Sequence, residues 1–307
     1  MSHALRIGVD VGGTNLRVGA VQQHRVLWEQ RHHADFSQLC RSHAPELALE
    51  KIIAELDVAI ERARKQFPAA EAVGIGFPGF IDPATHCVSL SPNLPGLRNV
   101  DIATPLAHRL GLPVRIENDA LAAAWGEYLL AAPRPPSLIY LGLGTGVGGG
   151  LILDGKPYPG QHGVSMEVGH LIVQPDGRPC GCGNRGCLEQ YASASGVAAT
   201  YRELTNAALN ARQIALLAEQ GNRDALQAYR VAAEMLAAAL AHILKVVDVG
   251  QVVIGGGMHA AWPLLQPVFE ASLHAALIPA LRGRVAVKLA QAGDRAGMLG
   301  AACLPEC

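Results

Sequence analysis

The stretch IGVDVGGTNLR, residues 7–17, decides the fold. Its apolar first half predicts a buried β-strand that carries Asp10 close to its end. Gly12 and Gly13 then predict a tight turn, and residues 17–22 return as a second strand. Because glycine has no side chain, backbone N–H groups at such a turn can approach an anion closely. The stretch therefore predicts a strand–turn–strand unit whose turn suits a phosphate group.

Polar residues around this turn add to that interpretation. Thr14, Asn15 and Arg17 supply hydrogen-bond donors, and Asp10 can hold a hydrated magnesium ion. The alternative is an ordinary tight turn, since glycine is the usual residue wherever φ is positive.

Two further glycine-rich turns follow. LGLGTGVGGG, residues 141–150, places Gly144, Thr145 and Gly146 in a similar hairpin. IGGGM, residues 254–258, lies between a predicted strand and a predicted helix. None of these turns has the lysine of a P-loop, and no GxGxxG opens a helix after the first strand. A bound nucleotide would therefore be held without either motif.

Short apolar runs alternate with helical patterns along the chain, which is typical of the α/β class. The predicted strands cover residues 5–11, 17–22, 26–30, 72–77, 113–117, 138–143, 147–153, 251–254 and 285–290. The predicted helices cover residues 45–66, 102–110, 120–130, 224–247, 262–277 and a terminal segment from about 294.

The strand–turn–strand layout of residues 138–153 repeats that of the opening residues, which indicates a diverged duplication and two lobes. We expect an N-terminal α/β lobe over residues 1–118, completed by a C-terminal helix at about 294–307. Residues 119–293 are expected to form a C-terminal α/β lobe.

A metal motif lies in HLIVQPDGRPCGCGNRGCLEQ, residues 170–190. One imidazole and three thiols favour zinc, and four protein ligands leave no open position for a catalytic water, so the metal would be structural. The ligands are His170, Cys180, Cys182 and Cys187. The alternative is a disulfide with a spare thiol, but the first two cysteines are too close in sequence for an easy bridge.

Carboxylates lie on both sides of this metal motif, and another lies in a separate stretch at the start of a predicted helix. Glu167 precedes the first metal ligand, and Glu189 follows the last. In IENDALAAAWGEY, residues 116–128, a strand leads directly to Asn118 and Asp119 at the start of a helix. Either residue is an ordinary N-cap in the simplest interpretation. A carboxylate at the carboxyl end of a strand is also where a general base would accept a hydroxyl proton.

Composition limits the function classes. Of 307 residues, 50% are hydrophobic and 17% charged, which supports two buried cores, and the net charge is −1. Without blocks of like charge, neither nucleic acid nor an anionic membrane is an expected partner. No secretion signal or spanning segment is evident, so we expect a cytoplasmic protein. The remaining cysteines are then free thiols, namely Cys40, Cys87, Cys303 and Cys307.

The motifs DVGGTNLR, ENDA, LGTGVGGG, EVGH, CGCGNRGCLE and IGGGM occur in an order and spacing that resemble the ROK family of sugar kinases and related repressors. The resemblance covers residues from about 5 to 300. It implies two ribonuclease H-like lobes of the actin-like ATPase type flanking a cleft, ATP with Mg²⁺ across that cleft, a hexose between the lobes, and a homodimer.

The resemblance also implies roles for individual residues. Asp119 would be the catalytic base, and His170 would contact the sugar as well as zinc. The residues implied to contact the sugar are Gly79, Asn93, Asn118, Asp119, Glu167, His170 and Glu189. The residues implied to contact phosphates, magnesium or adenosine are Asp10, Gly12, Gly13, Thr14, Gly144, Thr145, Gly146, Gly256, Gly257 and Met258.

Alternatives remain within this resemblance. Family repressors carry an N-terminal helix-turn-helix, whereas the first predicted strand here begins by Leu5. A catalytically silent sugar-binding protein is a second alternative. Glucose is the favoured sugar because the motifs look closest to glucokinase-like members, while N-acetylglucosamine, N-acetylmannosamine, mannose, fructose and allose are used by relatives.

Overall fold

The computed structural model describes residues 4–12 and 15–304. The chain forms two compact units. The first unit contains residues up to Pro136, from Gly150 to Ser165, and from Gln291 onward. The second contains Ser137–Gly149 and Met166–Ala290.

The strands are short to medium in length. They are β1 Arg6–Val11, β2 Asn15–Gln22, β3 Arg25–His33, β4 Ala72–Phe77, β5 Phe80–Ile81, β6 Val88–Leu90, β7 Arg98–Val100, β8 Val114–Asn118, β9 Leu138–Leu143, β10 Val147–Leu153, β11 Lys156–Pro157, β12 Gln251–Gly255 and β13 Ala286–Leu289. The helices are α1 Phe36–Ser42, α2 Pro45–Gln66, α3 Ala103–Leu110, α4 Asp119–Leu130, α5 Glu189–Ala192, α6 Ala194–Thr205, α7 Ala211–Glu219, α8 Arg223–Val247, α9 Trp262–Ala276 and α10 Ala296–Ala302.

The first sheet has the strand order β3-β2-β1-β4-β8. β1 pairs antiparallel with β2 and parallel with β4, and β4 pairs parallel with β8. Helix α2 begins with Pro45 in its first turn and buries Ile52, Leu56 and Ile60 in the same core cluster as Ile7 and Val9 of β1. This sheet brings the carboxyl ends of three parallel strands to one edge, where α/β proteins bind ligands.

The second sheet has the order β11-β10-β9-β12-β13. The five strands of each sheet can be numbered by their order along the chain. Both sheets then have the same spatial order, which is third, second, first, fourth and fifth. The predicted α/β class is confirmed, and the shared order agrees with the predicted duplication. Helix α8 supplies much of the second unit's core, since its small and branched residues are buried along most of its length between the cap residues Asn222 and Asp248.

Helix α10 packs closely within the first unit. A Cβ atom at Gly300 would collide with the carbonyl oxygen of Ala122 in α4, and one at Gly126 with that of Ala296. Without these side chains the two helix backbones approach closely. The first unit therefore extends through α4 to Pro136, beyond the predicted boundary at residue 118.

The same helix lies on two strands of the first sheet. A Cβ atom at Gly8 in β1 would collide with the carbonyl oxygen of Met298, and one at Gly74 in β4 with that of Ala301. All seven residues of α10 are buried. A helix near the C-terminal end of the sequence thus completes a sheet formed by its first strands.

Several short elements were not predicted. They include the small sheet β5-β6-β7 and the helices α1, α5, α6 and α7. Strands of two or three residues are too short to show a clear period of two. Among the described residues, no helix is long and apolar enough to cross a membrane.

Candidate active site

Three carboxyl groups collect where the parallel strands of the first sheet end. Asp10 in β1 is paired with Gly76 in β4, which is paired with Glu117 in β8. Directly paired residues of parallel strands face the same side, so Asp10 and Glu117 share a face with a glycine between them. A Cβ atom at Gly76 would lie 3.5 Å from the Cα of Asp119, so α4 begins directly over this gap.

Asn118 is the N-cap of α4, as the simplest interpretation predicted. Its Oδ1 accepts a hydrogen bond from the backbone N–H of Leu121 at 3.0 Å, and its Nδ2 donates to the carbonyl of Gly79 at 3.0 Å. An amide side chain has a second N–H and a second oxygen lone pair. Asn118 therefore keeps one donor and one acceptor position for a ligand.

Asp119 follows the cap and has a perturbed acidity. Its Oδ1 accepts a hydrogen bond from the backbone N–H of Ala120 at 2.9 Å. Burial raises the pKa of Asp119 to about 6, against the lowering effect of that hydrogen bond. A carboxylate with this pKa is ionised at neutral pH and is a better proton acceptor than an ordinary aspartate.

Glu117 was not among the predicted site residues, although it stands in the quoted IENDA sequence. Its Oε1 accepts a hydrogen bond from the backbone N–H of Asn118 at 2.8 Å. Burial raises the pKa of Glu117 to about 7, and the hydrogen bond opposes this rise. The carboxyl edge of the sheet is thus a place where negative charge is costly until a cation or proton compensates it.

Asp10 shows the same effect. Burial raises the pKa of Asp10 to about 7, the charges of Asp119 and Asp294 add to the rise, and Arg17 opposes it. A divalent cation beside Asp10 would relieve this accumulated negative charge. The chemistry of this oxygen-rich edge therefore fits magnesium.

Arg17 was predicted as a phosphate donor, and the structure shows which groups already hold it. The side chain is buried, and its guanidinium forms ion pairs with Glu29 at 3.5 Å and Asp294 at 3.4 Å. Both carboxylates bind a second cation, Arg295 at 2.8 Å and Arg31 at 3.1 Å respectively. A phosphate contact by Arg17 stays a prediction.

A buried carboxylate in α4 had no sequence signal. Glu127 is 2% exposed, and its two oxygens accept hydrogen bonds from the backbone N–H groups of Gln291 and Ala292, both at 2.8 Å. Burial raises the pKa of Glu127, and these two hydrogen bonds oppose the rise. The contact fixes the segment that presents Asp294 to Arg17.

The other predicted residues of the first unit occupy turns. Gly79 has a φ of +151°, and its carbonyl accepts the hydrogen bond from Asn118 Nδ2. Asn93 is exposed in the loop between β6 and β7. Gly12 donates its N–H to the carbonyl of Asn15 at 2.9 Å. Gly13 and Thr14, both predicted to bind phosphate, lie outside the described residues.

In the second unit, the second glycine turn contacts Glu189. The backbone N–H of Val147 donates to Glu189 Oε2 at 3.1 Å. A Cβ atom at Gly146 would collide with the same carboxylate. The predicted phosphate turn and a predicted sugar ligand, 42 residues apart, are therefore direct neighbours.

The predicted metal ligands also come together. The ligand atoms of His170, Cys180, Cys182 and Cys187 all lie within 4.8 Å of one another. The Nδ1 of His170 is 3.7 Å from Cys180 Sγ, and the Sγ atoms of Cys182 and Cys187 are 3.6 Å apart. Two thiolates on one tetrahedral zinc would lie about 3.8 Å apart for a Zn–S bond of about 2.3 Å. The donor set and spacing fit zinc.

The two nitrogens of His170 face different groups. Nδ1 faces the cysteine cluster, whereas Nε2 lies 3.9 Å from Glu167 Oε2. Nδ1 can therefore bind a metal while Nε2 forms a hydrogen bond to a sugar hydroxyl or to Glu167. The two predicted roles of His170, in metal and sugar binding, require such an arrangement.

The third glycine turn follows β12. Gly256 has a φ of +82°, and a Cβ atom there would collide with the backbone of Leu143. At Gly257 an added Cβ atom would meet open space. Met258 is buried, with 6% exposure. Contacts between this turn and adenosine stay a prediction.

Comparison with known proteins identifies the family. A family profile described as the ROK family matches residues 6–306. The chain is 33% identical over 319 residues to glucokinase of Streptomyces coelicolor, covering 98% of this chain and 97% of that protein. It is 35% identical over 313 residues to N-acetyl-D-glucosamine kinase of Salmonella newport, covering 97% and 98%.

A solved structure of a ROK family member also matches this chain. The ROK family glucokinase from Streptomyces griseus, in complex with glucose and AMPPNP, matches with a TM-score of 0.83 and 33% identity, covering 98% of both chains. The resemblance noted in the sequence is confirmed along nearly the whole chain. This chain is a member of the ROK family.

Proposed function

We propose that this chain is an ATP-dependent hexose kinase that transfers the γ-phosphoryl group of ATP to O6 of glucose. The observation that carries the proposal is the position of Asp119, a carboxylate with a raised pKa at the carboxyl edge of a parallel sheet, beside Asp10. The Streptomyces coelicolor relative is a glucokinase, and the Salmonella newport relative is an N-acetyl-D-glucosamine kinase.

In the proposed reaction, Asp119 orients the sugar hydroxyl and takes its proton. The hydroxyl oxygen forms a bond to the γ-phosphorus while the bond to the β,γ-bridging oxygen breaks, so ADP leaves. Because phosphoryl transfer has a loose transition state, the proton moves late and positioning contributes most of the rate. The hydrogen bond from Ala120 and the cap by Asn118 hold the base in place.

Asp10 is the residue proposed to hold magnesium. A bound magnesium ion would neutralise charge on the transferring phosphates. The first and second glycine turns would supply backbone N–H donors to the phosphates from Gly12, Gly13, Thr14, Gly144, Thr145 and Gly146. Gly256, Gly257 and Met258 are proposed to lie against adenosine.

The sugar is proposed to contact two groups of residues. Asn118 and Asp119 would bind near the reacting hydroxyl, with Gly79 and Asn93 lining the pocket. Glu167, His170 and Glu189 would bind the remaining hydroxyls, held by a structural zinc ion on His170, Cys180, Cys182 and Cys187. Carboxylates accept hydrogen bonds from sugar hydroxyls, which are good donors.

The experiment is an assay of ADP release across a panel of sugars. We expect the highest kcat/KM with glucose among glucose, N-acetylglucosamine, N-acetylmannosamine, mannose, fructose and allose. A clear preference for another sugar would replace glucose and leave the kinase assignment intact. The absence of sugar-dependent ADP release would favour the silent sugar-binding alternative. A homodimer, expected from the family, would be tested separately by light scattering.

A further inference from the structure

The second glycine turn is held from one side by a single segment of the second unit, residues 189–195, which we call the brace. The backbone N–H of Ala194 donates to the carbonyl of Gly144 at 2.9 Å. The hydroxyl of Ser195 donates to the carbonyl of Thr145 at 2.8 Å. The carboxylate of Glu189 accepts from the N–H of Val147 at 3.1 Å. Three backbone positions of the turn are therefore bonded to one short segment.

The brace is anchored by Ser193, which is fully buried. Ser193 Oγ donates to the carbonyl of Glu189 at 2.6 Å and accepts from the N–H of Gly196 at 3.0 Å, which caps α6. The same oxygen lies 2.8 Å from Ser195 Oγ. The serine that contacts the turn is thus held against a buried, hydrogen-bonded neighbour.

The geometry points to a specific role for Ser195. We propose that Ser195 is a positioning residue for the phosphoryl donor, and that the brace fixes the backbone of residues 144–147 in the form that receives phosphate. This inference rests on the proposed kinase function. Thr145 is exposed at the tip of the turn, so the bonded carbonyls leave the tip accessible to a ligand. Holding the turn beforehand lowers the ordering cost of binding.

The contact of Ser195 with the second glycine turn is expected to affect one substrate more than the other. Ser195 touches the predicted phosphate turn and does not belong to the predicted sugar ligands. Its loss should therefore affect the nucleotide more than the hexose. A merely structural serine would lower the Tm and the amount of active protein, and would not change the nucleotide constants in preference to the hexose KM.

The experiment compares wild type with Ser195→Ala, Ser195→Thr and the control Thr205→Ala. Thr205 is in the same helix, and its hydroxyl also donates to a backbone carbonyl, that of Tyr201 at 2.8 Å, without touching the turn. For each protein we would measure the KM of ATP, the KM of the best hexose, the Kd of magnesium AMPPNP by calorimetry, and the Tm.

We expect Ser195→Ala to raise the KM of ATP and the Kd of magnesium AMPPNP by roughly 3- to 10-fold, the loss expected for one neutral hydrogen bond. The hexose KM should stay within about 2-fold. Ser195→Thr should restore nucleotide binding because it restores the hydroxyl, and Thr205→Ala should match wild type.

Other outcomes distinguish failure of the role proposed for Ser195 from failure of the proposed kinase function. Unchanged AMPPNP binding in Ser195→Ala, with normal binding by wild type, would overturn the role of Ser195 and leave the kinase proposal standing. Equal increases in both KM values together with a lowered Tm would also overturn it. If wild type binds no magnesium AMPPNP, the proposed function fails, and this inference fails with it.

Discussion

Gly297, near the start of α10, lies directly against the carboxyl group of Asp10. A Cβ atom at Gly297 would come within 2.7 Å of Asp10 Oδ1 and 2.8 Å of its Cγ. Real Cβ atoms do not approach so closely, and the aspartate side chain is too short to move aside without turning its carboxylate. The glycine therefore sets the orientation of the proposed magnesium ligand.

Gly297→Ala is expected to reorient Asp10 and weaken magnesium-dependent nucleotide binding. We expect the magnesium concentration for half-maximal activity, and the Kd of magnesium AMPPNP, to rise about 10-fold, the effect of a lost charged contact. A double-mutant cycle with Asp10→Ala provides the control. If Gly297→Ala weakens nucleotide binding as much in the Asp10→Ala background as in wild type, the effect does not pass through Asp10.

Asp119→Asn should separate catalysis from binding. The amide keeps the size of the side chain and an oxygen that can accept from Ala120, but it cannot take a proton. We expect kcat to fall by ~10²- to 10⁴-fold while the Kd values of sugar and nucleotide change only a few-fold. A kcat close to that of wild type, measured in a coupled ADP assay, would leave Asp119 with a structural role only.

The raised pKa of Asp119 also predicts how activity depends on pH. The ionised form accepts the proton, so kcat/KM should fall as pH drops through about 6. Measured at saturating magnesium, which keeps Asp10 ionised, the residual activity of Asp119→Asn should lack this step. A pH–rate profile of both proteins between about pH 5 and 8 checks this expectation. A wild-type profile that is flat through this range would contradict the proposed base.

The raised pKa of Asp119 also affects the stability of the fold, with a pH dependence opposite to that of activity. A carboxyl group whose pKa is raised in the folded state stabilises the fold at pH values below its ordinary pKa. That stabilisation is lost as the pH rises through the folded-state pKa. Asp119→Asn should therefore raise the Tm by a few degrees at pH 8, and the difference should become small at about pH 3, where the aspartate is protonated in both the folded and the unfolded state. Calorimetric scans at the two pH values measure it.

Zinc content can be tested independently of activity. We expect about one zinc ion per chain in protein purified without chelator, and Cys182→Ser should lower both the metal content and the Tm. Cys87→Ser is the matched control, because Cys87 is a free cysteine outside the metal cluster. Metal analysis that finds no zinc in the wild-type protein would remove the structural role assigned to the cluster.

Glu189 contacts the second glycine turn, which is proposed to bind phosphate, so its substitution is expected to affect both substrates. Glu189→Ala removes the proposed sugar contact and the acceptor for Val147, and both KM values should rise, with kcat/KM falling roughly 5- to 150-fold. Glu189→Gln keeps an acceptor oxygen, so the ATP KM should stay near wild type while the hexose KM rises. Zinc content should be unchanged in both variants. Unaltered hexose kinetics in both would place the sugar pocket elsewhere.

Elements with strong local patterns were predictable from the sequence. The predicted ranges 45–66, 72–77, 138–143 and 147–153 coincide with α2, β4, β9 and β10, because each is a sustained apolar pattern of one period. The clustering of one histidine and three cysteines was predictable for a similar reason, since these residues lie close in sequence and their chemistry is distinctive.

Contacts between distant residues could not be predicted in this way. Val147 and Glu189 are 42 residues apart, and Arg17 and Asp294 are 277 apart. No local pattern links either pair, and both depend on how the sheets and helices pack. The raised pKa of Glu117 likewise follows from its burial, which a single sequence does not reveal.

The way α10 completes the first unit matters while the protein is being synthesised. The helix lies against β1, β4 and α4, although more than 160 residues separate α4 from α10 along the chain. Translation is slow compared with the formation of local structure, and domains otherwise tend to fold as they emerge from the ribosome. The N-terminal sheet must therefore wait, with the surface for α10 uncovered, while the whole second unit is made. During that interval Gly8, Gly74 and Gly126, against which α10 packs in the folded protein, remain uncovered.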